Sequence, residues 1–258
     1  MTEPQYITSR ENPQVRALRK LVGDNTGYRK SGQVWVEGEH LCSAALLRGV
    51  RPAMTVVAQS LWADTQTRWA GHAPCTLVVP DSLFKSISAL ESPSFIGFVL
   101  DLPIAGEFDP AAASVVLDRV QDSGNVGSIL RSAAAFGFSQ VIALRDTAAL
   151  WSPKVLRAGM GAHFGLRLVE SVQPEALNRL RVPLVVTSSH EGSLIQDTQL
   201  PFPCAWVLGH EGQGVSPALA ERAALSVRIG QPGGEESLNV AAAAAICLHA
   251  SAIGFCSD

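Results

Sequence analysis

The stretch Val115-Val116-Leu117-Asp118-Arg119-Val120-Gln121-Asp122-Ser123-Gly124-Asn125-Val126-Gly127-Ser128-Ile129-Leu130-Arg131 decides how the rest of the chain is read. Its apolar tripeptide reads as a buried strand. A polar turn through Ser123-Gly124-Asn125 follows, and a helix is expected from about Val126 to Phe136. Asn125 suits the helix N-cap, because its side-chain oxygen can accept from an otherwise unpaired backbone N–H. Gly127 permits close approach of another backbone or a phosphate. Arg131 lies within about two turns of that cap and points along the same edge. A guanidinium fork there suits a phosphate or carboxylate. Taken alone, the cluster is better read as ordinary capping plus a surface arginine.

Two more clusters hold comparable places. Gly209-His210-Glu211-Gly212-Gln213-Gly214 follows Trp206-Val207-Leu208, a buried strand. Its order of glycines is neither the dinucleotide fingerprint nor a P-loop. The glycines can expose backbone N–H groups, and Glu211 can accept from an amine or hydroxyl. Glu236-Ser237-Leu238-Asn239 follows the strand Val227-Arg228-Ile229 and the loop Gly230-Gln231-Pro232-Gly233-Gly234. Ser237 is expected to cap a helix that starts near Leu238 or Asn239. That helix is apolar nearly all round through Ile253. It is therefore expected to be buried on most sides, by the sheet or a partner chain. Open α/β sheets bind ligands where strands end and helices begin. Three such edges suggest one shared small-molecule site.

Strands and helices alternate through the chain. In the first half, Val34–Val36, Met54–Ala58, Thr76–Val79 and Phe95–Leu100 read as strands. Glu39–Leu47, Ser60–Trp69 and Asp81–Leu90 read as helices, the last with Asp81 as N-cap. From Asp101 to Ala113 the prolines, glycine and acidic residues break the pattern. The alternation then restarts, and its near-continuous apolar strands point to a mostly parallel sheet covered on both faces. The expected division is an N-terminal domain over 1–104, a linker over 105–113 and a second α/β domain over 114–258.

The bulk composition excludes several classes. With 258 residues, 47% hydrophobic and 17% charged, the chain can bury a sizeable core. The net charge of −3 carries no general basic signature for nucleic acid. Basic residues concentrate before residue 31, where Arg10, Arg16, Arg19, Lys20, Arg29 and Lys30 surround a short helical pattern. That pattern fits a solvated helix face as well as an RNA contact. The five cysteines are scattered without a CxxC pair, as expected of reduced cysteines. His40, His72, His163, His190 and His249 show no metal-ligand or triad spacing, so no metal is expected. Val240 to Phe255 is too short for a membrane span, and the polar N-terminus shows no signal peptide. A cytoplasmic protein is expected.

Read together and in order, the clusters resemble the three signature motifs of the SpoU-type (TrmH-like) RNA 2′-O-ribose methyltransferases of the SPOUT superfamily. The correspondence is NxGxxxR at Asn125 to Arg131, GxEGxG at Gly209 to Gly214 and SLNV at Ser237 to Val240. It covers residues 112 to 256 closely. The first hundred residues resemble more loosely the ribosomal-protein L30e-like domain that binds substrate RNA in such enzymes. The resemblance implies an α/β trefoil knot, with the final helix threaded through a loop, and a homodimer. It implies S-adenosylmethionine as cofactor, held at Thr187, Leu208, Gly209, Ile229 and Leu238. It implies Arg131 as the central catalytic residue, with Asn125, Glu211, Ser237 and Asn239 shaping the site. RNA contacts are expected at Arg131 and at Arg157, whose loop through Ala162 is similar to a family loop with Gly159 in place of Ser. Arg16 and Arg29 of the basic segment join them.

His210 stands where the family usually has Asn, and the loop from Gly230 departs from the usual Ile-Pro-Met opening. His210 is read as a tuner of the cofactor contact or as a tolerated loop residue. Ribosomal RNA is the first expectation for the substrate and transfer RNA the second. A non-catalytic ribosome-assembly factor is the alternative outside enzymology.

Overall fold

The computed structural model describes residues 3–103, 106–188, 192–233 and 237–255. His190, Gly234 and Glu236, used above, lie outside the described residues. The chain divides into two compact units, Met1–Ile104 with Trp151–Phe164, and Ala105–Leu150 with Gly165–Asp258. In chain order the first elements are β1 (Gln5–Tyr6), α1 (Pro13–Gly23), α2 (Tyr28–Ser31), β2 (Gln33–Glu37), α3 (Glu39–Leu47), β3 (Met54–Ala58), α4 (Gln59–Trp69), β4 (Cys75–Val79), α5 (Asp81–Lys85) and β5 (Ile96–Asp101). Then come β6 (Ser114–Leu117), α6 (Ser123–Ala135), β7 (Gln140–Leu144), α7 (Pro153–Gly159), β8 (Arg167–Val172), β9 (Leu184–Thr187), β10 (Ser193–Leu194), β11 (Ala205–Leu208), α8 (Pro217–Ala220), β12 (Leu225–Arg228) and α9 (Val240–Phe255).

The first unit is built on a five-stranded sheet of order β1-β4-β3-β5-β2. β5 runs antiparallel to both neighbours, while β1, β3 and β4 are mutually parallel. Trp35, Val56, Leu77 and Phe84 form its core together with Val15 and Leu18 of α1. α1 starts where Asn12 accepts from the N–H of Gln14 and Pro13 takes the first helical position. Its outer face carries Arg16 and Lys20.

Two expectations for this unit are corrected. The helix expected to reach Leu90 stops at Lys85, where the Ser86 hydroxyl donates to the carbonyl of Leu83 and offers the backbone an alternative to the helix. Asp81 does not cap that helix; its carboxylate accepts from the N–H of Ser60 instead. By its contacts the segment Trp151–Phe164 groups with the first unit, where α7 packs against β2 through its apolar face.

The second unit holds a seven-stranded sheet of order β10-β12-β9-β11-β6-β7-β8, parallel at every pairing described. Val116, Ile142, Val207 and Leu219 lie in its core. The register sets Leu208 beside Leu117 and Val227 beside Thr187. The chain therefore leaves β6, β9, β11 and β12 at one common edge. α6 and α9 pack against each other. α9 is pinned to β11 by the buried indole N–H of Trp206, which donates to the Ser251 hydroxyl at 2.9 Å. The sequence-expected burial of α9 is one-sided: Ala244, Cys247, Leu248 and Ser251 are buried, while Ala242, Ile246, His249 and Ile253 are exposed.

Candidate active site

Two of the expected caps change hands, and the change builds the site. α6 begins at Ser123, and its N-cap is Asp122, whose carboxylate accepts from the N–H of Asn125 at 2.8 Å. Asn125 therefore sits inside the first turn with its side-chain amide released from capping. α9 begins at Val240 and is capped by Asn239, not by Ser237. The Asn239 oxygen accepts from the N–H groups of Ala241 at 2.9 Å and Ala242 at 3.3 Å. Its amide nitrogen then donates to the Asn125 oxygen at 2.9 Å.

Glu211 closes the chain of contacts. Its carboxylate accepts from the Asn125 amide at 3.1 Å and from the backbone N–H groups of Asp122 at 3.0 Å and Gln121 at 3.2 Å. Partial burial pushes this carboxyl up, but the combined hydrogen bonds outweigh it and hold the group below the usual carboxylate range. Residues 125, 211 and 239, one from each motif, thus form a single hydrogen-bonded line across the sheet edge.

The loop after β11 is shaped from within. A Cβ on Gly209 would stand 2.1 Å from the carbonyl carbon of Gly214 and from the nitrogen of Val215. Only glycine lets the loop close there. His210 and Gly214 exchange backbone hydrogen bonds at 2.8 and 3.0 Å. The Nδ1 of His210 accepts from the N–H groups of Gly212 and Gln213 at 3.0 and 3.3 Å. His210 is therefore a structural pin of the loop. The sequence reading missed two further braces. Arg119 donates to the Gln213 side chain at 2.8 Å, and the buried Asp118 accepts from the N–H of Ser216 at 2.7 Å. Their only signal was an Asp-Arg pair at the end of an apolar strand.

Arg131 lies exposed on α6, eight positions beyond its first residue, and has no hydrogen-bond or ion-pair partner among the described residues. Ser237 and Leu238 are exposed in the segment leading to α9, with Leu238 at 40%. Thr187 ends β9, Leu208 ends β11, and Ile229 follows β12, so these three and Gly209 occupy adjacent strand ends. Arg16, Arg29 and Arg157 are in the first unit, exposed on α1, α2 and α7. Arg29 lies over the Tyr28 ring at 5.7 Å. Among the described residues no group of three His, Cys, Asp or Glu side chains is placed to hold a metal ion. No helix among them is long and apolar enough to cross a membrane.

A site built from three sheet-edge motifs invites comparison with known proteins. Residues 112–249, more than half of the chain, match the SpoU rRNA Methylase family. The chain belongs to that family. Residues 12–96 match the MRM3-like substrate binding domain, so the SpoU domain is preceded by a substrate-binding module. The 23S rRNA (guanosine(2553)-2′-O)-methyltransferase RlmP of Bacillus subtilis is 30% identical over 95% of this chain and 98% of its own length. A putative RNA methyltransferase of the TrmH family from Porphyromonas gingivalis superposes with a TM-score of 0.82 at 30% identity, over 93% of this chain and 97% of that one. An AdoMet-bound rRNA methyltransferase from Sinorhizobium meliloti gives 0.80 at 26% identity, over 96% and 97%. The SpoU reading of the three motifs therefore stands, along with the α/β class and the N-terminal substrate-binding domain.

Proposed function

We propose that this chain transfers a methyl group from S-adenosylmethionine to a ribose 2′-hydroxyl of ribosomal RNA. The observation that carries the reading is the line Glu211–Asn125–Asn239, which joins all three SpoU motifs on the helix that bears the exposed Arg131. Ribosomal rather than transfer RNA is favoured by the substrate named for the Bacillus relative.

The residues at the strand ends fit the cofactor. Ile229 and Leu238 offer accessible apolar surface to a purine, and Thr187, Leu208 and Gly209 offer backbone groups where the strands stop. S-adenosylmethionine supplies an electrophilic methyl group there. The protein's own task is to place the ribose and to stabilise the negative charge that grows as the 2′-hydroxyl loses its proton. A guanidinium with a pKa above about 12 is a poor base at neutral pH. Arg131 therefore acts as a cation: it holds the phosphate beside the target ribose and stabilises the developing alkoxide. Asn125, Glu211 and Asn239 keep α6 and α9 in the geometry this requires, and Ser237 completes the approach to α9.

The exposed stripe Ala242, Ile246, His249 and Ile253 lies at helical spacing on α9. It supports a homodimer formed through the last helix. Threading of that helix through a loop belongs to the same proposal, as do RNA contacts at Arg16, Arg29 and Arg157 and action in the cytoplasm, where the ribosomes are. Calorimetry with S-adenosylmethionine and a map of 2′-O-methyl positions in ribosomal RNA, with and without the gene, test the reading. An unchanged map in a strain lacking the gene sinks it. Absence of cofactor binding at millimolar concentration would favour an assembly factor.

A further inference from the structure

A cavity of about 640 Å³ lies within the first unit, between β2, the turn after α5 and α7. Its size falls in the range of about 300–1,000 Å³ usual for small-molecule sites. Val22, Leu90 and Leu156 give it apolar walls. Its charged lining comprises the carboxylates Glu37 and Glu91 and two cations of α7, Lys154 and Arg157, three positions apart. Neither cation has an ion-pair partner among the described residues.

Glu37 is a half-buried carboxylate that the methyl-transfer chemistry does not use. One of its oxygens accepts from the indole N–H of Trp35 at 3.1 Å, and the other from the hydroxyl of Ser88. These donors fix the carboxylate plane while leaving each oxygen a free lone pair. Such a pair of acceptors matches a Watson–Crick edge with two adjacent donors. Among the four RNA bases only guanine presents that edge, through N1–H and the exocyclic amine. Adenine and cytosine present one donor group beside a ring-nitrogen acceptor, which a carboxylate repels. Uracil presents one N–H between two carbonyls. Bases splayed from single-stranded RNA are commonly read on this edge.

We propose that the cavity receives an unpaired guanosine of the substrate RNA, its base read by Glu37 and its phosphate held by Lys154 and Arg157. The proposal rests on the RNA reading above only for the source of the guanosine.

The test is calorimetry on the full chain with guanosine, inosine and adenosine 5′-monophosphates. The guanosine nucleotide is expected to bind about ten-fold more tightly than the adenosine one, the size of one bidentate pair. Inosine, which lacks the exocyclic amine, falls between them. Glu37→Gln keeps an acceptor for Trp35 and should abolish the preference while leaving S-adenosylmethionine affinity unchanged. Lys154→Ala, a surface change, should weaken all three nucleotides by a similar factor. The oligonucleotide AAGAA should bind more tightly than free guanosine monophosphate. Equal affinities, no binding at millimolar nucleotide, a preference that survives Glu37→Gln, or tighter binding of the free nucleotide than of AAGAA would each overturn the proposal. Loss of cofactor binding in the unmodified protein would count against the methyltransferase reading alone, because the nucleotide ranking is read independently of it.

Discussion

The Asn239 amide donates to the Asn125 oxygen at 2.9 Å, joining two residues 114 positions apart in the chain. Each residue is held on its other side, Asn239 by the backbone it caps and Asn125 by Glu211. Neither amide can rotate without breaking contacts at both ends. The pair therefore fixes the starts of α6 and α9 relative to one another.

Asn239→Ala removes a helix cap, worth about 1 kcal/mol, and leaves the Asn125 oxygen without its donor. Methyl transfer to ribosomal RNA should fall at least about ten-fold while the fold persists. A denaturant midpoint shift of modest size, measured beside the rate, checks both halves. A variant with full activity would show that the asparagine pair is not needed for catalysis.

Glu211 gives a pH dependence. Its folded-state carboxyl titrates below the ordinary value, so its stabilising contribution is fully present above about pH 4.3 and fades as the pH falls through the lower folded value. In urea unfolding, wild type should exceed Glu211→Gln in stability near neutrality, and the gap should shrink towards pH 3. A gap that stays constant or grows in acid contradicts this sign.

Arg131→Ala should lose about a hundred-fold or more in methyl-transfer rate, the scale of one removed charge-stabilising group. Arg131→Lys keeps the cation and should retain a measurable part of that rate. If the lysine variant binds RNA normally and is as inactive as the alanine variant, a charge role alone fails.

Gly209→Ala places a methyl group on backbone that cannot retreat, with 2.1 Å to Gly214 and Val215. Loss of about 3 kcal/mol or more is expected, with loss of S-adenosylmethionine binding. A thermal melt and a cofactor titration are the measurements. A variant that melts and binds as wild type would mean the loop after β11 has another shape.

Ser251→Ala strands the buried indole N–H of Trp206. The cost should be about 1–3 kcal/mol, seen in denaturant unfolding. Trp206→Phe combined with it should recover part of the loss, because both polar groups are then gone.

The strand edges and the three motifs were legible because apolar runs followed by glycine and amide clusters have few other uses. The caps were not. Asp122 and Asn125 both suit an N-cap and lie three positions apart, and Ser237 and Asn239 lie two apart. Local propensity scores them alike. Only the tertiary partners decide, since Glu211 draws the amide of Asn125 away and leaves the cap to Asp122. The helix expected from Asp81 to Leu90 failed for a related reason: serine hydroxyls after Lys85 bond locally and to Glu37. Glu37 itself gave no signal, because Val-Trp-Val-Glu reads as an ordinary strand end. Two-residue β1 was too short to show a period.

The line of contacts from residue 211 through 125 to 239 also orders events during synthesis. A ribosome releases the Arg131 helix long before it has made Asn239, so a nascent chain carries that guanidinium on a helix whose α9 neighbour does not yet exist. Methylating competence must arrive late and all at once, when the last motif docks. A protease that clips before that point leaves a remnant without activity, and timed truncations of the chain would trace that threshold.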